Sequence, residues 1–210
     1  MATIVQMEKW VDKNNNQSMI EVLLGRFNAL YPLSAKLKER LSTVLKVETC
    51  QKKDFILKEG QVPLKIWYVI KGLARTYHHA EGLEVNTKFI KEGEFLTSWP
   101  AFYRQQPGDD YIQAMEDMEL IGFAYKDLQK IYSEFIEFSF IARPFFEYHF
   151  LLAEERNAML RQENAEKRYS YFLQHYHSLN QRIPQRFVAS YLGITKETLS
   201  RVRTKLFKSK

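Results

Sequence analysis

The spacing of apolar residues changes twice along this chain, and that switch restricts its fold more than any other feature. Between about Val47 and Tyr125 the apolar residues lie in short segments rich in β-branched and aromatic side chains: IWYVIKG, LARTYHHA, EVNTKFIKEG, YIQAM and ELIGFAY. Gly or polar turns separate them roughly every 8 to 12 residues, the pattern of a small sandwich or barrel. Ala80-Glu81-Gly82 reads as a hairpin turn. No helical pattern intervenes, which argues against a parallel βαβ arrangement. On either side the spacing is three and four. Residues 19–46 predict two short helices, the second capped by Ser34. After Leu128 the helical period returns. Pro144 suits the first turn of a long helix that meets no Gly or Pro before about Asn180. Ile141, Phe145, Tyr148, Leu152, Met159 and Ala165 fall roughly on one face of it, and a break near Gln162–Glu166 stays open. Ile183-Pro184 then opens a last helical pair with Gly193 between its members.

Several function classes find no support. The most apolar stretch, Phe135–Ala153, carries Glu137, Arg143, Pro144 and Glu147, so no membrane span is expected. Glu8, Asp12 and an Asn run stand where a signal peptide needs apolar residues, and a cytoplasmic protein is expected. The one cysteine, Cys50, rules out an internal disulfide and any Cys-ligated iron–sulfur cluster or Cys₄ zinc site. His78 and His79 point to opposite faces of a strand, His175 and His177 are two apart on a helix, and His149 packs in or beside the long helix. No metal site is expected. There is no P-loop, dinucleotide glycine pattern, Gly-x-Ser-x-Gly or His-Glu-x-x-His, so no enzymatic activity is expected either.

The charge is concentrated. Arg182, Arg186, Lys196, Arg201, Arg203, Lys205, Lys208 and Lys210 are opposed only by Glu197 after residue 181, so this segment carries a charge of +7 and the rest of the chain −1. That is the electrostatic footprint of a nucleic-acid contact. The same segment, QRFVASYLGITKETLSRVRTKL, meets the steric requirements of a helix-turn-helix. Ala189 is the small residue at the crossing, Gly193 the turn residue, and Val188, Leu192, Ile194, Leu199 and Val202 the buried set. Thr195 is a natural N-cap, with Thr198 adding a hydroxyl in the first turn. Lys196, Glu197, Ser200, Arg201 and Lys205 are then presented outward, with Lys208 in the basic tail. Lys and Arg donate to guanine O6 and N7, and Glu accepts from cytosine N4.

ILKEGQ, WYVIKGLARTYHHAEGLEVNTKFIKEGEFL and ITKETLSRVR together resemble the Crp/Fnr regulators, from about Leu30 to Leu206. Gly60, Gly72 and Gly93 match the family's turn glycines. The resemblance implies an α+β fold: an N-terminal double-stranded β-helix (a jelly roll of the cyclic-nucleotide-binding type), a long dimerisation helix, and a C-terminal helix-turn-helix domain without a terminal wing. The corresponding domains are 1–137, 138–166 and 167–210. It implies that Lys196, Glu197 and Arg201 read bases, with Lys196 where the family usually has Arg. It implies a homodimer through Phe145–Arg161, with Phe145, Tyr148, Leu152 and Met159 on the dimer helix. Double-stranded DNA is the partner, and RNA polymerase the further one such a regulator would meet.

The resemblance also places an effector pocket at Gly93-Glu94-Phe95, with Trp99, Arg104 and Tyr111 around it. The family's Arg-Ser or Arg-Thr pair, which neutralises a cyclic phosphate, is replaced by Gly108-Asp109-Asp110-Tyr111. No cyclic AMP or cyclic GMP binding is expected, because carboxylates there repel a phosphate. No cofactor is expected, and any other small ligand is unidentified. The alternatives are a cyclic-nucleotide-responsive regulator of the same family and, in a different class, a non-catalytic RNA- or protein-binding module. The latter lacks the sheet-borne aromatic run of the common RNA modules.

Overall fold

The computed structural model describes residues 13–208, with side chains for 16–206. The chain forms two compact units. One holds the residues up to Thr76 and Phe89–Phe145; the other holds Tyr77–Lys88 and the residues from Phe146 onward.

In the first unit α1 (Lys13–Leu30) and α2 (Ala35–Val44) precede the strands. Ser34 caps α2, its hydroxyl accepting from the Leu37 N–H at 3.2 Å. The strands are β1 (Lys46–Cys50), β2 (Phe55–Leu57), β3 (Lys65–Lys71), β4 (Ala74–Ala80), β5 (Leu83–Ile90), β6 (Phe95–Leu96), β7 (Tyr111–Ala114) and β8 (Met118–Ala124). A short helix, α3 (Trp99–Arg104), lies between β6 and β7. Two four-stranded sheets result, in the orders β1-β8-β3-β6 and β2-β7-β4-β5. Pairing is antiparallel for β1 with β8 and for β3 with β8. The turn joining β4 to β5 places Glu81 and Gly82 at φ 52° and 78°, as a tight hairpin of right-twisted strands requires.

Period-2 alternation sorts the side chains onto two faces. Trp67, Val69, Leu96, Met118 and Leu120 from one sheet meet Leu57, Ala74, Ile90, Ile112 and Ala114 from the other in one apolar cluster. Ile66, Tyr68, Phe95, Ile121 and Phe123 point the opposite way, into a second cluster with Leu23, Leu24 and Phe27 of α1 and Leu37 and Leu41 of α2. The first sheet is therefore buried on both sides, which explains why IWYVI reads as a continuous apolar run. Cys50 sits in the inner cluster, where burial and then Asp54, Asp117 and Glu48 push its thiol up to about 12.

After β8 come α4 (Tyr125–Glu134) and α5 (Glu137–Leu160). The long helix differs from the expectation at both ends. It starts at Glu137, so Pro144 is an interior residue rather than part of the first turn. It also stops at Leu160 rather than near Asn180, with the break at the place left open near Gln162–Glu166. Asn164 caps a separate helix, α6 (Ala165–Tyr176), by accepting from the Glu166 N–H at 2.7 Å. A 3-10 turn (His177–Leu179), α7 (Gln185–Leu192) and α8 (Lys196–Lys208) complete the second unit. Its core holds Tyr169, Phe172, Leu179, Ile183, Val188, Ala189, Tyr191, Leu192, Leu199 and Val202. The distal half of the β4–β5 hairpin joins this unit through Ser190. That hydroxyl donates to the Glu84 carbonyl at 2.7 Å and accepts from the Asn86 N–H at 2.9 Å. Arg156 of α5 donates to the Asn86 carbonyl at 3.2 Å and lies 5.1 Å over the Tyr191 ring.

Candidate nucleic-acid interface

The α7–turn–α8 pair is built as the sequence predicts. Ala189 and Val188 are buried, and Gly193 takes the left-handed conformation at φ 62°. Its N–H caps the helix end, and the Ile194 N–H returns to the Ala189 carbonyl at 3.0 Å. Thr195 opens α8: its hydroxyl oxygen accepts from the Thr198 N–H at 3.2 Å. Leu199 and Val202 are buried beneath α8, whereas Thr195, Lys196, Glu197, Ser200 and Arg201 are exposed. Glu197, Ser200 and Arg201 share one stripe, with one turn of helix between Glu197 and the other two.

Within that stripe Arg201 donates to the Thr198 hydroxyl at 3.2 Å, which aims its guanidinium along the helix. The Glu197 carboxyl is held below the usual carboxylate range by its own backbone N–H first and then by the Thr195 hydroxyl, with Lys196 and Arg201 adding to the effect. It is an ionised acceptor on a cationic surface. Thr204, which the sequence reading passed over, is exposed on the same stripe and donates to the Ser200 carbonyl at 3.0 Å. Lys205 is exposed, but its ammonium pairs with Glu166 of α6 at 2.5 Å. Lys208 is helical, and its side chain lies outside the described residues.

The four residues expected on a dimer face diverge. The Phe145 ring lies 4.9 Å from Phe95 and 6.1 Å from Phe27, and Met159 is buried at 3% exposure, so both face their own chain. Leu152 is half-buried and Tyr148 exposed. Phe140, Phe150 and Leu151 of α5 are 48%, 65% and 57% exposed. Spacing alone could not tell the two faces apart, because this helix carries aromatics around most of its circumference.

The residues expected around an effector make the following contacts. Glu94 folds back to accept from the Lys91 N–H at 3.3 Å, next to Gly93 at φ 89°. Phe95 belongs to the helix-side cluster. Trp99 stacks on Tyr103 with centroids 6.1 Å apart, and Arg104 is exposed at the end of α3. Tyr111 leans on Phe55 and donates to Glu59 at 3.1 Å. Asp110 accepts from the buried Ser98 hydroxyl at 2.5 Å. The cation against the Gly93 turn is Arg26, not Arg104. A Cβ on Gly93 would come within 2.8 Å of its Nη1, and its guanidinium lies 5.6 Å from the Tyr68 ring centroid. Arg26 comes from a helix 67 positions earlier, and no local pattern signals the contact.

The chain thus combines a roll of two antiparallel sheets, a long helix and a C-terminal helix-turn-helix. Residues 47–135 match the family model described as the cyclic nucleotide-binding domain. Solved structures share the fold over most of the chain. FixK2 from Bradyrhizobium japonicum is 19% identical, with a TM-score of 0.68 over 79% of this chain and 86% of its own. A CooA mutant from Carboxydothermus hydrogenoformans is 20% identical, with a TM-score of 0.66 over 87% and 84%. The Thermus thermophilus catabolite activator protein is 17% identical, with a TM-score of 0.53 over 88% and 87%. No curated protein sequence matches the chain. The chain thus shares the α+β fold of these solved structures, as the sequence resemblance implied. Among the described residues no helix is long and apolar enough to cross a membrane.

Proposed function

We propose that this chain is a sequence-specific, double-stranded-DNA-binding transcription regulator that acts as a homodimer on a near-palindromic site. The observation that carries the reading is the exposed stripe of α8. An ionised acceptor, Glu197, and an oriented donor, Arg201, stand one turn apart beside Ser200, on a helix whose other side is fixed by Leu199 and Val202. Donor and acceptor on one rigid helical face are what major-groove base edges require. Lys196 joins as a second donor, and Lys205 and Lys208 serve phosphates.

A second copy pairs through α5 at the exposed Phe150 and Leu151, giving two half-sites about 34–36 Å apart. RNA polymerase is the further partner of such a regulator on DNA. The roll does not hold cyclic AMP or cyclic GMP. The Asp110 carboxylate occupies the loop after α3 and is tied to Ser98, where it would repel a cyclic phosphate.

Selection of preferred duplexes from a random pool tests the reading. Enrichment of an inverted repeat is the expected result. A pool that stays random after repeated rounds, at low salt as well as high, would sink it.

A further inference from the structure

Arg168, on the first turns of α6, makes contacts that base reading alone does not explain. Its Nε donates to the Gln162 carbonyl at 2.6 Å, in the loop that follows α5. Its Nη1 donates to the Leu192 and Gly193 carbonyls at 3.0 and 3.3 Å, at the turn between α7 and α8. Leu160, the last residue of α5, approaches the same glycine: a Cβ there would lie 3.9 Å from its Cδ2. One planar guanidinium therefore joins the end of the long helix to the turn from which α8 departs.

The acceptors explain why an arginine stands here. Carbonyls at helix C-termini have no N–H partner within the helix and carry partial negative charge. A fork of fixed N–H directions can serve the loop carbonyl and the turn carbonyls together, which a single ammonium cannot. The turn does not depend on this contact for its fold, since Gly193 and Ile194 already make their own backbone bonds and the α7–α8 core lies elsewhere. What the guanidinium fixes is direction. Lys196 is the third residue after Gly193, so a small rotation at the turn is carried along all of α8. Base-edge hydrogen bonds tolerate little such rotation, whereas charge contacts to phosphates tolerate more.

We propose that Arg168 is a positioning residue for base reading, which locks the helix-turn-helix turn to the loop after α5 so that α8 presents its reading stripe in one orientation. The proposal rests on the DNA reading above. The experiment compares full-length wild type, R168Q and R168K on the enriched duplex and on a random duplex of equal length, with thermal melting alongside. R168Q should lose about tenfold or more on the enriched duplex and stay within about twofold on the random one. R168K should fall between R168Q and wild type. A merely structural role would lower the melting temperature and weaken both duplexes alike, and that result overturns the proposal, as does wild-type discrimination by R168Q. If R168Q does not fold, R168K decides: reduced discrimination supports the proposal and wild-type discrimination overturns it. A wild-type chain that prefers no duplex fails at the earlier step and removes the DNA reading itself.

Discussion

One substitution, glycine to alanine, should change stability in opposite directions at two positions. Gly193 holds φ 62°, and the space around its missing Cβ is ordinary: the nearest atoms are Arg168 Nη1 at 3.5 Å and Leu160 Cδ2 at 3.9 Å. The penalty of Gly193→Ala is therefore backbone strain rather than a clash, about 1–2 kcal/mol for an L-residue in the left-handed region. Restricting the unfolded chain offsets this by about 0.4–1 kcal/mol, so a net loss of about 1 kcal/mol is expected. Asn, which tolerates that region, should lose less. Gly25 is exposed inside α1 with nothing within 4 Å of a Cβ. Gly25→Ala should add about 0.5–1 kcal/mol, the helix-interior difference between the two residues. Urea unfolding followed through Trp67 and Trp99 reports the first unit, and amide exchange at Leu199 and Val202 reports the second. Faster exchange in G193A and a raised urea midpoint in G25A are expected. An alanine at 193 that slows exchange, or one at 25 that lowers the midpoint, would refute the backbone reasoning.

Replacing Arg201 or Glu197 by Ala should cost about 1–3 kcal/mol on the preferred duplex and relax one base pair; equal losses on random duplex would show phosphate contact instead. Lys208→Ala should weaken both duplexes alike and reduce the salt slope by about one. Phe150→Glu with Leu151→Glu should shift the protein from dimer to monomer in sedimentation at micromolar concentration, and an unchanged dimer would place the interface elsewhere. Calorimetry with cyclic AMP or cyclic GMP should show no binding tighter than about millimolar; a micromolar constant would point to Arg26 or Arg104 as the phosphate's cation. His149 is pushed down to about 4, chiefly by burial and then by Lys88. Because the unfolded chain takes that proton more readily, stability should be complete above about pH 6.5 and fall as pH drops toward 4. The loss should be about 2–3 kcal/mol by pH 4.5, and it should be absent in H149N.

What could be read from the sequence follows from the range of the forces involved. The β-branched and aromatic runs IWYVIKG and LARTYHHA, the Glu81-Gly82 turn, the Ser34 and Thr195 caps and the Ala189–Gly193 spacing are all decided within a few residues. Each was legible. The end of α5 was legible only as an open alternative near Gln162–Glu166: no Gly or Pro marks it, and Asn164 caps α6 in a stretch where asparagine would also be tolerated inside a helix. Facing was illegible for the same reason. Phe145 turns inward because Phe27 and Phe95 meet it there, while Phe150, five residues on, stays uncovered. The grips of Arg168 on Leu192 and of Arg26 on Gly93 join positions 24 and 67 residues apart, and only the folded chain brings them together.

The clasp at Ser190 bears on how such a chain could be divided or recombined. Residues 77–88 are encoded within the roll, yet they complete the surface of the helix-turn-helix unit. A fragment beginning at Phe146 would keep α8 but lose the Glu84 carbonyl and the Asn86 N–H that meet Ser190, and would leave Arg156 without the Asn86 carbonyl. A roll ending at Phe145 would carry a bare hairpin. A single crossover between related genes therefore cannot exchange the helix-turn-helix unit intact, because a foreign α7 would have to find its match on a hairpin inherited from the other parent. New specificities can arise in this architecture by changes on the outer stripe of α8, where none of these contacts reach, more readily than by replacing the whole unit.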